Sequence, residues 1–204
     1  MDNVVVGMGE ALWDVLPEGK KIGGAPANFA YHVSQFGLPS CVVSAVGGDA
    51  LGNEIIENFT SKGLNHLLSE VPYPTGTVQV EIDQAGIPQY EIKENVAWDN
   101  IPYTAHLEAL AEKTQAVCFG SLAQRNVVSR NTINRFLDAM PQHDDSLVVF
   151  DVNLRQGFYN KEILCNSMKR CNILKINDEE LVTVSRMFGY PGIDLQDKCW
   201  ILLG

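Results

Sequence analysis

Four polar stretches of this sequence carry side chains suited to binding and charge stabilisation. The first is Gly23-Gly24-Ala25-Pro26-Ala27-Asn28-Phe29-Ala30. Paired glycines let a ligand approach the backbone closely, and Pro26 favours the start of a helix. Free N–H groups at such a start can donate to sugar hydroxyls or to an anion. Asn28, one short turn in, offers both a donor and an acceptor, which suits hydroxyl recognition. A plain tight loop would use the same glycines. The second stretch is Phe150-Asp151-Val152-Asn153-Leu154-Arg155. An apolar run there passes straight into polar groups, and the planar fork of Arg155 suits bidentate phosphate or carboxylate recognition. The third is Leu174-Lys175-Ile176-Asn177-Asp178-Glu179-Glu180-Leu181. Asn177 can cap a helix whose acidic first turn suits the helix dipole, a role complete in itself. The fourth is Gly9-Glu10-Ala11-Leu12-Trp13-Asp14-Val15-Leu16-Pro17. Asp14 could serve there as a turn or cap residue as readily as a ligand-binding carboxylate.

The elements that must position these groups alternate in type. Val4–Met8, Cys41–Val46, Ala116–Phe119, Leu147–Val152 and Ile173–Ile176 are short apolar runs, as in strands covered on both faces. Between them lie segments of helical period: Pro26–Phe36, Asn53–Ser61, Ala105–Lys113, Thr132–Met140, Ile163–Arg170 and Glu179–Phe188. Gly37 and Gly63 follow the first two as stop signals. Strand–helix alternation at this spacing implies βαβ units and a mainly parallel sheet between helix layers. Two stretches break the rhythm. Leu12–Ile22 mixes apolar and charged residues around Pro17-Glu18-Gly19, and Thr77–Ile82 with Gln89–Ile92 reads as a hairpin turned by Asp83-Gln84-Ala85-Gly86. That hairpin is expected outside the parallel sheet, either as a lid over its carboxyl edge or as an ordinary surface hairpin. A last helix is expected from near Asp194.

Taken with their spacing, the motifs resemble the PfkB family of carbohydrate kinases over about residues 4 to 190. Gly23 to Ala30, then Gly37 and Gly47, resembles that family's first signature along its whole length. Asp151, Asn153 and Arg155 match a D-x-N-x-R pattern, and Asn177 with Glu180 an N-x-x-E pattern. Val96-Ala97-Trp98-Asp99-Asn100-Ile101-Pro102, Phe119-Gly120-Ser121-Leu122-Ala123 and Gly24-Ala25-Pro26-Ala27-Asn28 resemble fructokinase segments. The resemblance implies a three-layer ribokinase-like α/β fold, with a small β lid formed by about residues 12–22 and 75–100. It implies transfer of the γ-phosphate of ATP, with Mg²⁺, to a primary hydroxyl of a sugar, fructose first. Aminoimidazole riboside and ketodeoxygluconate are the competing substrates, and a non-catalytic sugar-binding module is the competing class.

The resemblance also assigns residues. Asp14, Gly23, Gly24, Asn28, Asp151 and Asn153 would bind the sugar. Arg155 would support the transition state. Lys175, Asn177 and Glu180 would lie on the nucleotide and phosphate side, with Glu180 acting on the metal through water. Relatives carry a G-A-G-D motif whose Asp is the general base, and no G-A-G-D occurs in these residues. The family base is therefore expected beyond Gly204, and the chain is expected to be a C-terminally shortened piece with little activity alone. Lid contacts in relatives imply a homodimer as a further expectation.

Composition narrows the alternatives. The 204 residues are 46% hydrophobic and 20% charged, ordinary values for a globular chain. A net charge of −10 argues against nucleic-acid backbones and anionic membranes as partners. None of the five cysteines forms a C-x-x-C pair, which reads as reduced thiols, several of them in the core. The N-terminus lacks a signal-peptide pattern, and a cytoplasmic location is expected. A nicotinamide-binding reading fails, because no G-x-G-x-x-G follows the first strand.

Overall fold

A computed structural model describes residues 3–82, 88–192 and 194–203. The strands are β1 (Val4–Met8), β2 (Leu12–Leu16), β3 (Gly19–Gly23), β4 (Ser40–Gly47), β5 (Asn65–Val71), β6 (Thr77–Ile82), β7 (Pro88–Ile92), β8 (Thr114–Gly120), β9 (Leu147–Asp151) and β10 (Ile173–Lys175). The helices are α1 (Ala25–Gln35), α2 (Ala50–Ser61), α3 (Ala105–Ala111), α4 (Val127–Ala139), α5 (Lys161–Arg170), α6 (Asp178–Phe188) and α7 (Leu195–Leu203). Helix α7 meets the expectation of a last helix near Asp194. Gly204, the residue beyond which the family base is expected, lies outside the described residues.

Six strands form the main sheet in the order β10-β9-β8-β1-β4-β5. All of its pairings are parallel. Such a sheet needs cover on both faces, because its crossovers place helices there. Strand β4 shows the two faces: Val43 and Ala45 join one apolar cluster with Met8, Phe119 and Phe150, while Val42 and Val46 join another with Ala27, Ile55 and Phe59. Helix α1 lies so close to β1 that a Cβ at Gly7 would strike the Pro26 carbonyl oxygen. The architecture is thus helix, sheet, helix, the three-layer α/β arrangement that the resemblance implies.

The interruptions in the rhythm form a second sheet of four strands, in the order β3-β2-β6-β7. The β6–β7 pairing is antiparallel, as the sequence suggested. Its turn, residues 83–86, lies outside the described residues. Leu12–Ile22 is itself a hairpin, with Asp14 opposite Lys21, and β2 then runs parallel to β6. Trp13 anchors this sheet to the main body by donating from Nε1 to the Leu51 carbonyl at 3.0 Å. Asp14 therefore stands within a strand of the second sheet, not in a loop after β1. Strand β5 has no counterpart among the sequence expectations, and α4 begins five residues before the expected Thr132.

Candidate active site

The carboxyl ends of the parallel strands and the second sheet enclose a cleft of about 780 Å³. One wall comes from the second sheet, through Leu12, Asp14, Lys21, Val78, Tyr90 and Ile92. The other comes from the main body: Glu10 after β1, Gly24, Ala25 and Asn28 at the start of α1, Leu122 after β8, and Asn153 to Gln156 after β9. Open α/β sheets bind ligands at this edge, where chain ends and helix N-termini converge.

The glycine stretch is shaped for close approach. Gly24 caps α1 with φ 109° and has no side chain to cap it; the Ala25 N–H donates instead to Glu10 Oε1 at 3.2 Å, Pro26 has no N–H, and the Asn28 N–H donates to the Gly24 carbonyl at 3.0 Å. A Cβ at Gly24 would strike the Glu10 carbonyl oxygen, and one at Gly23 would strike the Asp14 carboxylate. Gly23 is thus packed beneath Asp14 and does not line the cleft. Asp14 is half-buried, and that burial raises its carboxyl above the ordinary value while the positive charge of Arg155 opposes the rise. Asn28 stands across the cleft from it on α1.

The loop after β9 delivers the opposite polar group. Asn153 has φ 39° and Gln156 φ 47°, both left-handed, so the chain turns sharply there. Gln156 donates from Nε2 to the Tyr90 carbonyl at 2.7 Å, joining this loop to β7 across the cleft. Arg155 is exposed, and among the described residues its side chain donates to its neighbour, the Leu154 carbonyl, at 3.1 Å. Its guanidinium stays available for an anion.

Asp151 and Lys175 depart from the expected pattern. They pair with each other, Lys175 Nζ to Asp151 Oδ1 at 2.9 Å, and neither lines the cleft. Asp151 is buried while Lys175 is largely solvent-facing. Asn177 and Glu180 form a reciprocal capping box on α6: Asn177 Oδ1 accepts from the Glu180 N–H at 2.8 Å, and Glu180 Oε2 accepts from the Asn177 N–H at 3.0 Å. The second Glu180 oxygen accepts from the Leu154 N–H at 3.0 Å. Both carboxylate oxygens already serve backbone donors. Among the described residues no group of three or more His, Cys, Asp or Glu side chains is placed to hold a metal. A cation held directly by Glu180 would compete with these backbone bonds.

Glu10, Tyr90 and Gln156 were not singled out from the sequence. Glu10 is 2% exposed, and its carboxyl is pushed up to about 7 by burial and the nearby charge of Asp151, against the pull of its backbone hydrogen bonds and Arg155. The available signal was a lone Glu two residues after the apolar run Val4–Met8, followed by Ala11 and Leu12. A second polar centre lies beside the cleft. Arg125 pairs with Asp99 at 2.7 Å, donates to the Lys93 carbonyl at 2.6 Å, and lies over the rings of Trp98 and Phe158.

Comparison with known proteins agrees with this geometry. The pfkB family carbohydrate kinase pattern matches residues 17–195. The chain belongs to the pfkB family of carbohydrate kinases. An uncharacterized sugar kinase of Pyrococcus horikoshii is 30% identical over 203 residues, which is 88% of this chain and 64% of that protein. Its structure in complex with ATP superposes with a TM-score of 0.75, over 90% of this chain and 66% of that one. The ATP-dependent 6-phosphofructokinase of Thermoanaerobacterium thermosaccharolyticum is 27% identical over 191 residues, 91% of this chain and 58% of that protein. A fructokinase of Rhizobium leguminosarum is 25% identical over 188 residues, 85% of this chain and 57% of that protein. The chain thus spans about three-fifths of the length of these relatives. Among the described residues no helix is long and apolar enough to cross a membrane.

Proposed function

We propose that the full-length protein is an ATP-dependent sugar kinase that phosphorylates a primary hydroxyl, with fructose as its substrate. One observation carries the reading: Asp14, Gly24 and Asn28 on one side and Asn153 and Arg155 on the other line a single cleft. Carboxylate and amide side chains suit a polyol, because each hydroxyl both donates and accepts. A guanidinium within the same cleft suits the charge of a phosphoryl group in transit.

In this reading Asp14 and Asn28 hold sugar hydroxyls and fix which one faces the nucleotide. Most of the rate of phosphoryl transfer comes from such positioning and from charge stabilisation. Arg155 offsets phosphoryl charge. The capping box of Asn177 and Glu180 holds the loop that carries Arg155, and Glu180 would be the residue that holds Mg²⁺, through water. Bound with ATP, Mg²⁺ would supply neutralisation of the phosphate charge. The second sheet acts as a lid that keeps water, a competing nucleophile, from the phosphoryl group. We place the general base beyond Gly204, since the 204 residues contain no G-A-G-D. A homodimer through the lid belongs to the same proposal.

Lys21 and Arg155 both line the cleft, and two cations there favour a second reading: a sugar already carrying a phosphate. The test is ADP release by the full-length protein, with fructose, fructose 6-phosphate, ribose, ketodeoxygluconate and aminoimidazole riboside as acceptors. Fructose is expected to give the highest kcat/KM. No turnover with any of the five would overturn the reading, and a clear preference for fructose 6-phosphate would install the second one.

A further inference from the structure

The cleft contains a carboxyl to which the reading above gives no role. Glu10 lines it together with Asp14 and Asn28, yet only 2% of the residue is exposed. Its Oε1 accepts from the Ala25 N–H, the first of α1, at 3.2 Å. Its Oε2 is buried with no hydrogen-bond partner among the described residues. Buried polar atoms nearly always find partners, so an unmatched one asks for an explanation. Other buried side-chain atoms also lack partners, including Ser44 Oγ, Trp98 Nε1, Arg125 Nη1 and Ser185 Oγ. None of those residues lines the cleft, whereas Glu10 does.

The protonation of Glu10 gives the unmatched atom a definite chemistry. With its carboxyl at about 7, Glu10 is substantially neutral near neutral pH. A neutral carboxyl has one O–H donor. The Ala25 N–H is itself a donor and occupies Oε1, so the proton belongs on Oε2, where it needs an acceptor. A sugar hydroxyl can be that acceptor.

We propose that Glu10 is a further substrate-binding residue, its Oε2 hydrogen-bonding one hydroxyl of the bound sugar at the inner end of the cleft. This rests on the sugar-kinase reading above. It also gives specificity a location: a substrate lacking that hydroxyl leaves Oε2 buried and unpaired, which a binding site penalises strongly.

The test is calorimetric titration of fructose and its monodeoxy analogues into the full-length protein, comparing wild type with Glu10→Leu, Glu10→Ala and Glu10→Gln. Thermal melting is recorded for each. Glu10→Leu and Glu10→Ala are expected to weaken fructose binding by about tenfold or more. Glu10→Gln keeps an acceptor for Ala25 and a donor toward the cleft, and is expected to restore affinity to within about threefold. One monodeoxy fructose should bind poorly to wild type yet no worse than fructose itself to Glu10→Leu and Glu10→Ala. Equal loss of fructose and every analogue, or no loss at all, would overturn the contact. If Asp14→Ala abolishes binding while Glu10→Leu and Glu10→Ala bind as wild type, Glu10 alone is refuted. If wild type binds no sugar, the sugar-kinase reading falls first and this contact with it.

Discussion

The backbone N–H of Leu154 donates to Glu180 Oε1 at 3.0 Å, across 26 residues of sequence. Two motifs that look independent along the chain are thereby one unit. The loop that presents Asn153 and Arg155 to the cleft hangs on the same carboxylate that caps α6 through Asn177. Removing that carboxylate should disturb the cleft from a distance. In the full-length protein Glu180→Ala orphans two N–H donors, each costing about 1–3 kcal/mol where buried. Urea unfolding should show the loss. Glu180→Gln retains an acceptor oxygen and should lose roughly half as much.

Arg125 offers a different test of packing. It is 7% exposed, Asp99 2%, and the guanidinium also meets a backbone carbonyl and two aromatic rings. Breaking a buried pair from one side leaves an uncompensated charge, at about 3–5 kcal/mol. Arg125→Met should therefore unfold at a much lower denaturant midpoint than wild type. Arg125→Lys should recover only part of the loss, because an ammonium cannot reproduce the planar fork.

Glu10 should make stability fall as pH rises. Its carboxyl titrates at about 7 in the fold, against 4.5 as the ordinary value. Below about 4.5 both states hold the proton and the contribution is fully present. Between 4.5 and 7 the unfolded chain loses its proton first, so the contribution is lost progressively, on the order of 3 kcal/mol in all. Glu10→Gln removes this dependence. Denaturation at pH 5 and pH 8 should show the variant gaining on wild type at the higher pH; a constant difference would place the carboxyl near its ordinary range.

Gly24 tests the close approach of the α1 start. At φ 109° an L side chain is strained, and a Cβ there would meet the Glu10 carbonyl oxygen. Gly24→Ala should displace the loop and weaken sugar binding by about tenfold or more, with a smaller effect on ATP affinity measured separately.

Much of this was legible in the sequence for a simple reason. Strands β1, β4, β8 and β9 belong to the parallel sheet and read as apolar runs, and α1, α2 and α6 carry clear punctuation. Strand β5 was invisible because it is an edge strand, and Asn65, His66, Ser69 and Glu70 interrupt its apolar pattern. The β2–β3 hairpin was obscured because Lys20 and Lys21 belong to an exposed strand. In the structure Asp14, Gly24, Asn28, Asn153 and Arg155 line one cleft. Asp151 with Lys175 does not, because the two satisfy each other. Glu10 was hidden by its setting: it stands among residues that read as a continuing apolar strand, and only tertiary packing shows its oxygen to be buried and unmatched.

The account turns on a polyol held between β2 and α1. The most direct measurement is calorimetric binding of fructose to the full-length protein carrying Asp14→Ala and Asn28→Ala together. Loss of two hydrogen-bonding partners predicts affinity reduced by about 100-fold or more, with an unchanged melting profile. Fructose binding at wild-type strength to that double variant would contradict it.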